Sequence, residues 1–94
     1  MTPGARIAAA IEILDRIGGG APAEKALTGW ARAHRFAGSR DRAAIRDHVF
    51  DVLRCRRSAA WLGGGEDGRA LVIGLLRLRG ERAEAYFTGE GHAP

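Results

Sequence analysis

Ser39 to Leu62, SRDRAAIRDHVFDVLRCRRSAAWL, is the stretch whose reading decides the fold. Its spacing predicts one long helix that is apolar on much of its circumference and still strongly basic. Ser39 is the expected N-cap, Asp41 stands in the first turn where the helix dipole favours an acid, and the run Gly63-Gly64-Gly65 stops the helix. At about 100° per residue, Ile45, Val49, Val52, Leu53 and Ala60 share one face, and Ala43, Phe50 and Trp61 a second. Two apolar faces predict a helix packed at the centre of the fold. Arg42 and Arg56 fall within the arc of Ile45, Val49 and Leu53, where an unpaired charge is costly. They are therefore expected to be structural, snorkelling along the apolar face or paired with a buried acid or a helix-end carbonyl. Arg54 and Arg57 point away from that face, with Asp47 and Asp51 near Arg54.

Working outward, Thr2 as N-cap and Pro3 at the first helical position open an amphipathic outer helix. Its apolar residues are Ile7, Ile11, Leu14 and Ile17, and Gly18-Gly19-Gly20 ends it. Pro22 opens a second helix to about His34, with Ala23, Ala26, Leu27, Trp30 and Ala31 inward; Gly29 within it costs about 1 kcal/mol relative to Ala. The link Arg35-Phe36-Ala37-Gly38 leads into the long helix. Beyond that helix, Asp67 caps a fourth, Gly68 to Arg79, with Leu71, Val72, Leu75 and Leu76 apolar, and Gly80 stops it. A last short helix is expected around Glu81 to Phe87. Residues 88–94 lack periodicity and read as the start of a linker. The expected fold is all-α, a compact orthogonal bundle of about five helices occupying residues 1–87.

Ninety-four residues suffice for one domain and one core, with no room for a separate catalytic half. A single cysteine excludes a disulfide framework and a thiolate zinc cluster. Nothing resembles a signal peptide or a membrane span, so a soluble cytoplasmic protein is expected. The formal charge is +4, and fourteen of the fifteen basic residues are Arg, a side chain suited to bidentate phosphate contacts. The basic character is regional. Arg32 to Arg57 holds eight Arg and three Asp, which leaves the rest of the chain slightly acidic.

No catalytic apparatus is legible. Cys55 has basic neighbours but no nearby His or second Cys, and reads as a small core residue. His34, His48 and His92 are too isolated for a metal site. The glycine triplets follow helices rather than strands and lack the spacing and lysine of a nucleotide loop. Trp30 and Trp61 stand at helical spacing from apolar neighbours and are expected in the core, which leaves Phe36, bracketed by Arg35 and Arg40, as the candidate for stacking on a base.

The run Ser39-Arg40-Asp41-Arg42-Ala43-Ala44-Ile45, continued by Val49 to Arg57, resembles the spine helix of the NusB-like domain. More narrowly, it resembles the N-terminal domain of the Sun/Fmu family of bacterial 16S ribosomal RNA cytosine-C5 methyltransferases. The opening RIAAAIEILDRI and the following AEKAL are similar to the two preceding helices of that domain, so the likeness covers about two-thirds of the chain. Asp41, Arg42, Leu53, Arg54 and Arg56 match the motif by position. The resemblance implies a NusB-like helical domain that helps hold ribosomal RNA, covalently linked to a methyltransferase domain that binds S-adenosylmethionine. No cofactor, metal or catalytic residue is expected within these residues, and Cys55 is not the family's catalytic cysteine.

The expected function is accordingly an RNA-binding accessory domain in which Arg32, Arg35, Phe36, Arg40, Arg54 and Arg57 meet RNA while the linked domain supplies chemistry. Two alternatives stand beside it. One is a stand-alone transcription antitermination factor binding RNA with a protein partner, disfavoured because the first helix carries only Arg6 and Arg16. The other is a protein-interaction module whose arginines serve solubility.

Overall fold

The computed structural model describes residues 1–94 and contains helices and turns without strands. The fold is a small all-α bundle, as the periodicity predicts, but its helices are divided differently. Helix α1, Pro3–Gly18, starts where Thr2 Oγ1 accepts the Ala5 N–H at 3.0 Å, with Pro3 in the first turn. Its Ile7, Ala10 and Ile13 are wholly buried, and it packs on α2 (Ala23–Ala33), α3 (Ser39–Arg54) and α5 (Gly68–Leu78). The helix expected at the outside is therefore central. A fully buried Ile contributes about 1.5–3 kcal/mol, so α1 carries a large share of the core.

Helix α2 contributes Ala26 and Trp30 to the core, and the Trp30 indole N–H donates to Glu12 Oε2 on α1 at 3.2 Å. Helix α3 buries Ile45, Val49 and Val52. Its N-cap is Gly38, and Ser39 is already helical. The first turn is closed by Asp41, whose Oδ2 accepts the Gly38 N–H at 3.0 Å while its Oδ1 accepts from Arg6 Nε of α1 at 2.9 Å. Those two contacts, the backbone one foremost, hold the Asp41 carboxyl below its ordinary range.

The predicted long helix is two. At Cys55 the backbone leaves helical geometry (φ −123°, ψ 31°), and α4 resumes over Arg56–Gly63. The Cys55 amide bonds Val52 O instead of Asp51 O, and the Cys55 thiol takes the Asp51 carbonyl at 3.1 Å. No Gly or Pro announces the break. Its consequence is packing: α4 turns to lie against α5, where Ala59 is wholly buried.

That pairing is unusually close, because small residues face each other four apart on both helices, Ala59 with Gly63 and Ala70 with Gly74. A methyl group added at Gly74 would sit 1.8 Å from the Ala59 carbonyl oxygen, and one at Gly63 would sit 1.8 Å from that of Ala70. Gly63 is thus a packing residue inside α4, and the terminator is Gly64, at φ +78°. Across the turn, Asp67 Oδ1 accepts the Ala70 N–H at 2.9 Å, and Asp15 of α1 accepts the Gly68 N–H at 2.7 Å, so α5 has a local and a remote cap. Leu71, Val72, Leu75 and Leu76 complete the core. The short helix expected at Glu81 to Phe87 reduces to a single 3-10 turn at Ala83–Ala85. The tail folds back on the start of α1, with Ala93 against Gly4.

The division at Cys55 takes Arg56 off the arc of Ile45 and Val49, and the second apolar face is left largely uncovered along its length. Of the second apolar face, Ala43 is exposed, Phe50 is half-buried beneath the Arg46 guanidinium at 4.9 Å, and Trp61 is 85 % exposed. The assignment of Trp61 to the core is corrected. So is that of Arg56, which is exposed and has neither an ion pair nor a hydrogen bond. Arg42 is also exposed, yet its Nη1 donates to the Ala37 carbonyl at 2.6 Å and so ties α3 to the link before it.

Candidate nucleic-acid interface

The arginines divide into two populations. Outside the basic zone each is committed: Arg6 to Asp41, Arg16 to Glu12, Arg79 to Asp51, Arg82 to Glu84, Arg77 to the Leu62 carbonyl, and Arg69 over the Phe87 ring. Within the zone, Arg42 holds Ala37, Arg46 holds Glu24, and Arg54 pairs with Asp51. The Arg46 hydrogen bonds keep the Glu24 carboxyl below its usual range. Arg32, Arg35, Arg40, Arg56 and Arg57 have no such partner, and all five are exposed. Three of them sit in first helical turns, Arg40 in α3 and Arg56 and Arg57 in α4. A cation there is disfavoured by the helix dipole by roughly 0.3–1 kcal/mol, so these positions do not serve stability.

The sequence-predicted residues form two groups rather than one. Arg32, Arg35, Phe36 and Arg40 surround the link between α2 and α3. Arg54 and Arg57 lie at the junction of α3 and α4, where Arg56 joins them. The length of α3 separates Arg40 from Arg54 by roughly 20 Å at 1.5 Å per residue.

At the first group, the Trp30 and His34 rings stack at 4.3 Å, and the Phe36 ring meets His34 edge-on at 5.8 Å. His34 Nδ1 lies 2.8 Å from the Trp30 carbonyl oxygen, which fixes the ring. Phe36 is 69 % exposed and borders an apolar depression shared with Met1, Thr2, Ala5 and His92. It is held by an aromatic ladder while leaving most of its surface free.

At the second group, Asp51 lies between Arg54 and Arg79, pairing with both. His48 is beside them, and burial together with the charge of Arg79 lowers its pKa. Around α4, Arg57, Ser58, Trp61 and Leu62 join Leu78 of α5 to line an open depression of about 340 Å³. Arg57 and Trp61 are one turn apart on one face of α4. Sequence reasoning missed Trp61 and Arg79: the first because the second apolar face, which it shares with Ala43 and Phe50, is left largely uncovered by the packing, the second because its approach to Asp51 spans 28 residues. No group of three or more His, Cys, Asp or Glu is placed to hold a metal, and no helix is long and apolar enough to cross a membrane.

Compared with protein-family models, curated proteins and solved structures, the chain finds no match.

Proposed function

We propose that this chain is an RNA-binding accessory domain, NusB-like, that serves a linked S-adenosylmethionine-dependent 16S ribosomal RNA cytosine-C5 methyltransferase domain. The observation that carries the RNA part is the segregation of arginines: every one without a partner lies between Arg32 and Arg57, and carboxylates or carbonyls engage most of the others. An arginine face left unneutralised suits a phosphate backbone, and two groups roughly 20 Å apart suit an extended or folded strand better than a single small anion. The link to a methyltransferase rests on the resemblance of Ser39 to Arg57 to the spine helix of that family. S-adenosylmethionine would be held by the linked domain, since here the glycine runs follow helices and no strand feeds a phosphate-binding turn.

Titration of the chain against 16S ribosomal RNA over a range of salt tests the reading. Affinity falls steeply with salt, and Arg56→Ala with Arg57→Ala flattens the slope of log affinity against log salt by up to about 1.4, at roughly 0.7 per phosphate contact on single strands. Arg16→Ala with Arg82→Ala, which removes cations already paired, leaves the slope unchanged. Binding that ignores salt, or the two double variants exchanging roles, refutes the reading.

A further inference from the structure

We infer that the depression between α4 and α5 is a stacking site for one unpaired nucleobase, with the Trp61 indole as its platform and Arg57 holding the adjoining phosphate. The inference rests on the RNA-binding reading and narrows it from backbone contact to recognition of single-stranded or looped-out nucleotides. A Trp that is 85 % exposed on a helix, beside a Leu78 that is 46 % exposed, forgoes burial that the fold could otherwise use. The platform is rigid, because α4 is pinned to α5 by the close approach of Ala59 to Gly74 and of Gly63 to Ala70, and Arg77 Nη1 caps α4 through the Leu62 carbonyl at 2.6 Å. Its lining, Arg57, Ser58, Trp61, Leu62 and Leu78, combines an aromatic face, apolar walls, a hydroxyl and a free cation, with no carboxylate. The absence of an acid disfavours a cationic guest. An aromatic face beside a free guanidinium is the pairing that single-strand-binding grooves use.

Size separates a base from a protein partner. An aromatic side chain buries about 150–250 Å², whereas a standard protein interface takes about 800 Å² from each side. Trp61 and Leu78 fall well short of that, and the depression they line also presents the Arg57 guanidinium and the Ser58 hydroxyl. A duplex also fits poorly, since its bases are already stacked and expose only edges and backbone.

The test compares a labelled oligouridylate of about ten nucleotides, within the usual single-strand site size, with a blunt RNA duplex, using the wild type, Trp61→Ala and Trp61→Phe. Trp61→Ala should bind the single strand about 5- to 150-fold more weakly, the worth of one base–aromatic stack, with its salt slope intact. Trp61→Phe should retain most of the affinity, and duplex binding should not change in either variant. Trp61→Ala binding the single strand like the wild type overturns the stacking site while leaving the RNA-binding reading in place, as does an equal loss on duplex and single strand. A wild type that binds neither RNA overturns both. A Trp61-dependent dimer in sedimentation, with RNA affinity unchanged by Trp61→Ala, assigns the patch to a second copy of the chain and overturns the inference.

Discussion

Gly74→Ala should destabilise the protein, although a glycine inside a helix normally becomes more stable as alanine. The helix-propensity gain is about 1 kcal/mol. Against it, the new Cβ would lie 1.8 Å from the Ala59 carbonyl oxygen, 2.5 Å from its carbon and 2.8 Å from Cα, where ordinary contact begins at 3.4 Å. The obstacle is backbone, so no rotamer change relieves it. Helices α4 and α5 must part, loosening the core around Leu71 and Leu75. Inserted methyl groups cost about 1–3 kcal/mol even where side chains can adjust, and a backbone clash belongs at the top of that range, leaving a net loss of about 2 kcal/mol. For a domain of this size that lowers the melting temperature by about 8–16 °C. Gly29→Ala is the control, also inside a helix, where an added methyl meets only Arg16 Nη1 at 3.9 Å. It should stabilise by up to about 1 kcal/mol. Far-UV circular dichroism during urea and thermal unfolding reads both, and a Gly74→Ala protein as stable as the wild type would refute the close packing of α4 on α5.

Three further outcomes are expected. Arg56→Ala should change stability by less than about 0.5 kcal/mol, as for a partnerless surface residue, whereas Arg42→Ala should cost about 1 kcal/mol through loss of the Ala37 contact; urea midpoints in the opposite order would restore an unbroken helix. Iodide should quench only part of the tryptophan emission, and Trp61→Phe should leave only the protected signal of Trp30, which is 3 % exposed; uniform quenching of both indoles would contradict their placement. Because Gly38 and Arg6 hold the folded Asp41 carboxyl below its unfolded pKa, its contribution to stability is present above about pH 4 and lost as the pH falls through the depressed folded value. The stability gap between wild type and Asp41→Asn should therefore be wider at neutral pH than near pH 3, and an unchanged gap would remove Asp41 from the acid response.

Local signals in the chain itself determined the all-α class, the start of α1 at Thr2 and Pro3, the cap of α5 at Asp67, and the burial of Ile45, Val49, Val52 and Trp30. Each depends on residues within a turn or two of one another, and periodicity and capping act at that range. The regional charge was equally legible. Tertiary structure alone decided the break at Cys55, since no breaker residue stands there and the turn answers the need of Ala59 to meet Gly74. From that break follows the exposure of Arg56, which an unbroken helix would keep on the arc of Ile45 and Val49; Trp61 is exposed because the face it shares with Ala43 is left uncovered, which packing alone decides. Which arginines remain free was also beyond the sequence: Arg6 meets Asp41 and Arg79 meets Asp51 across long stretches of chain, and only folding shows which cations find an acid and which are left facing solvent.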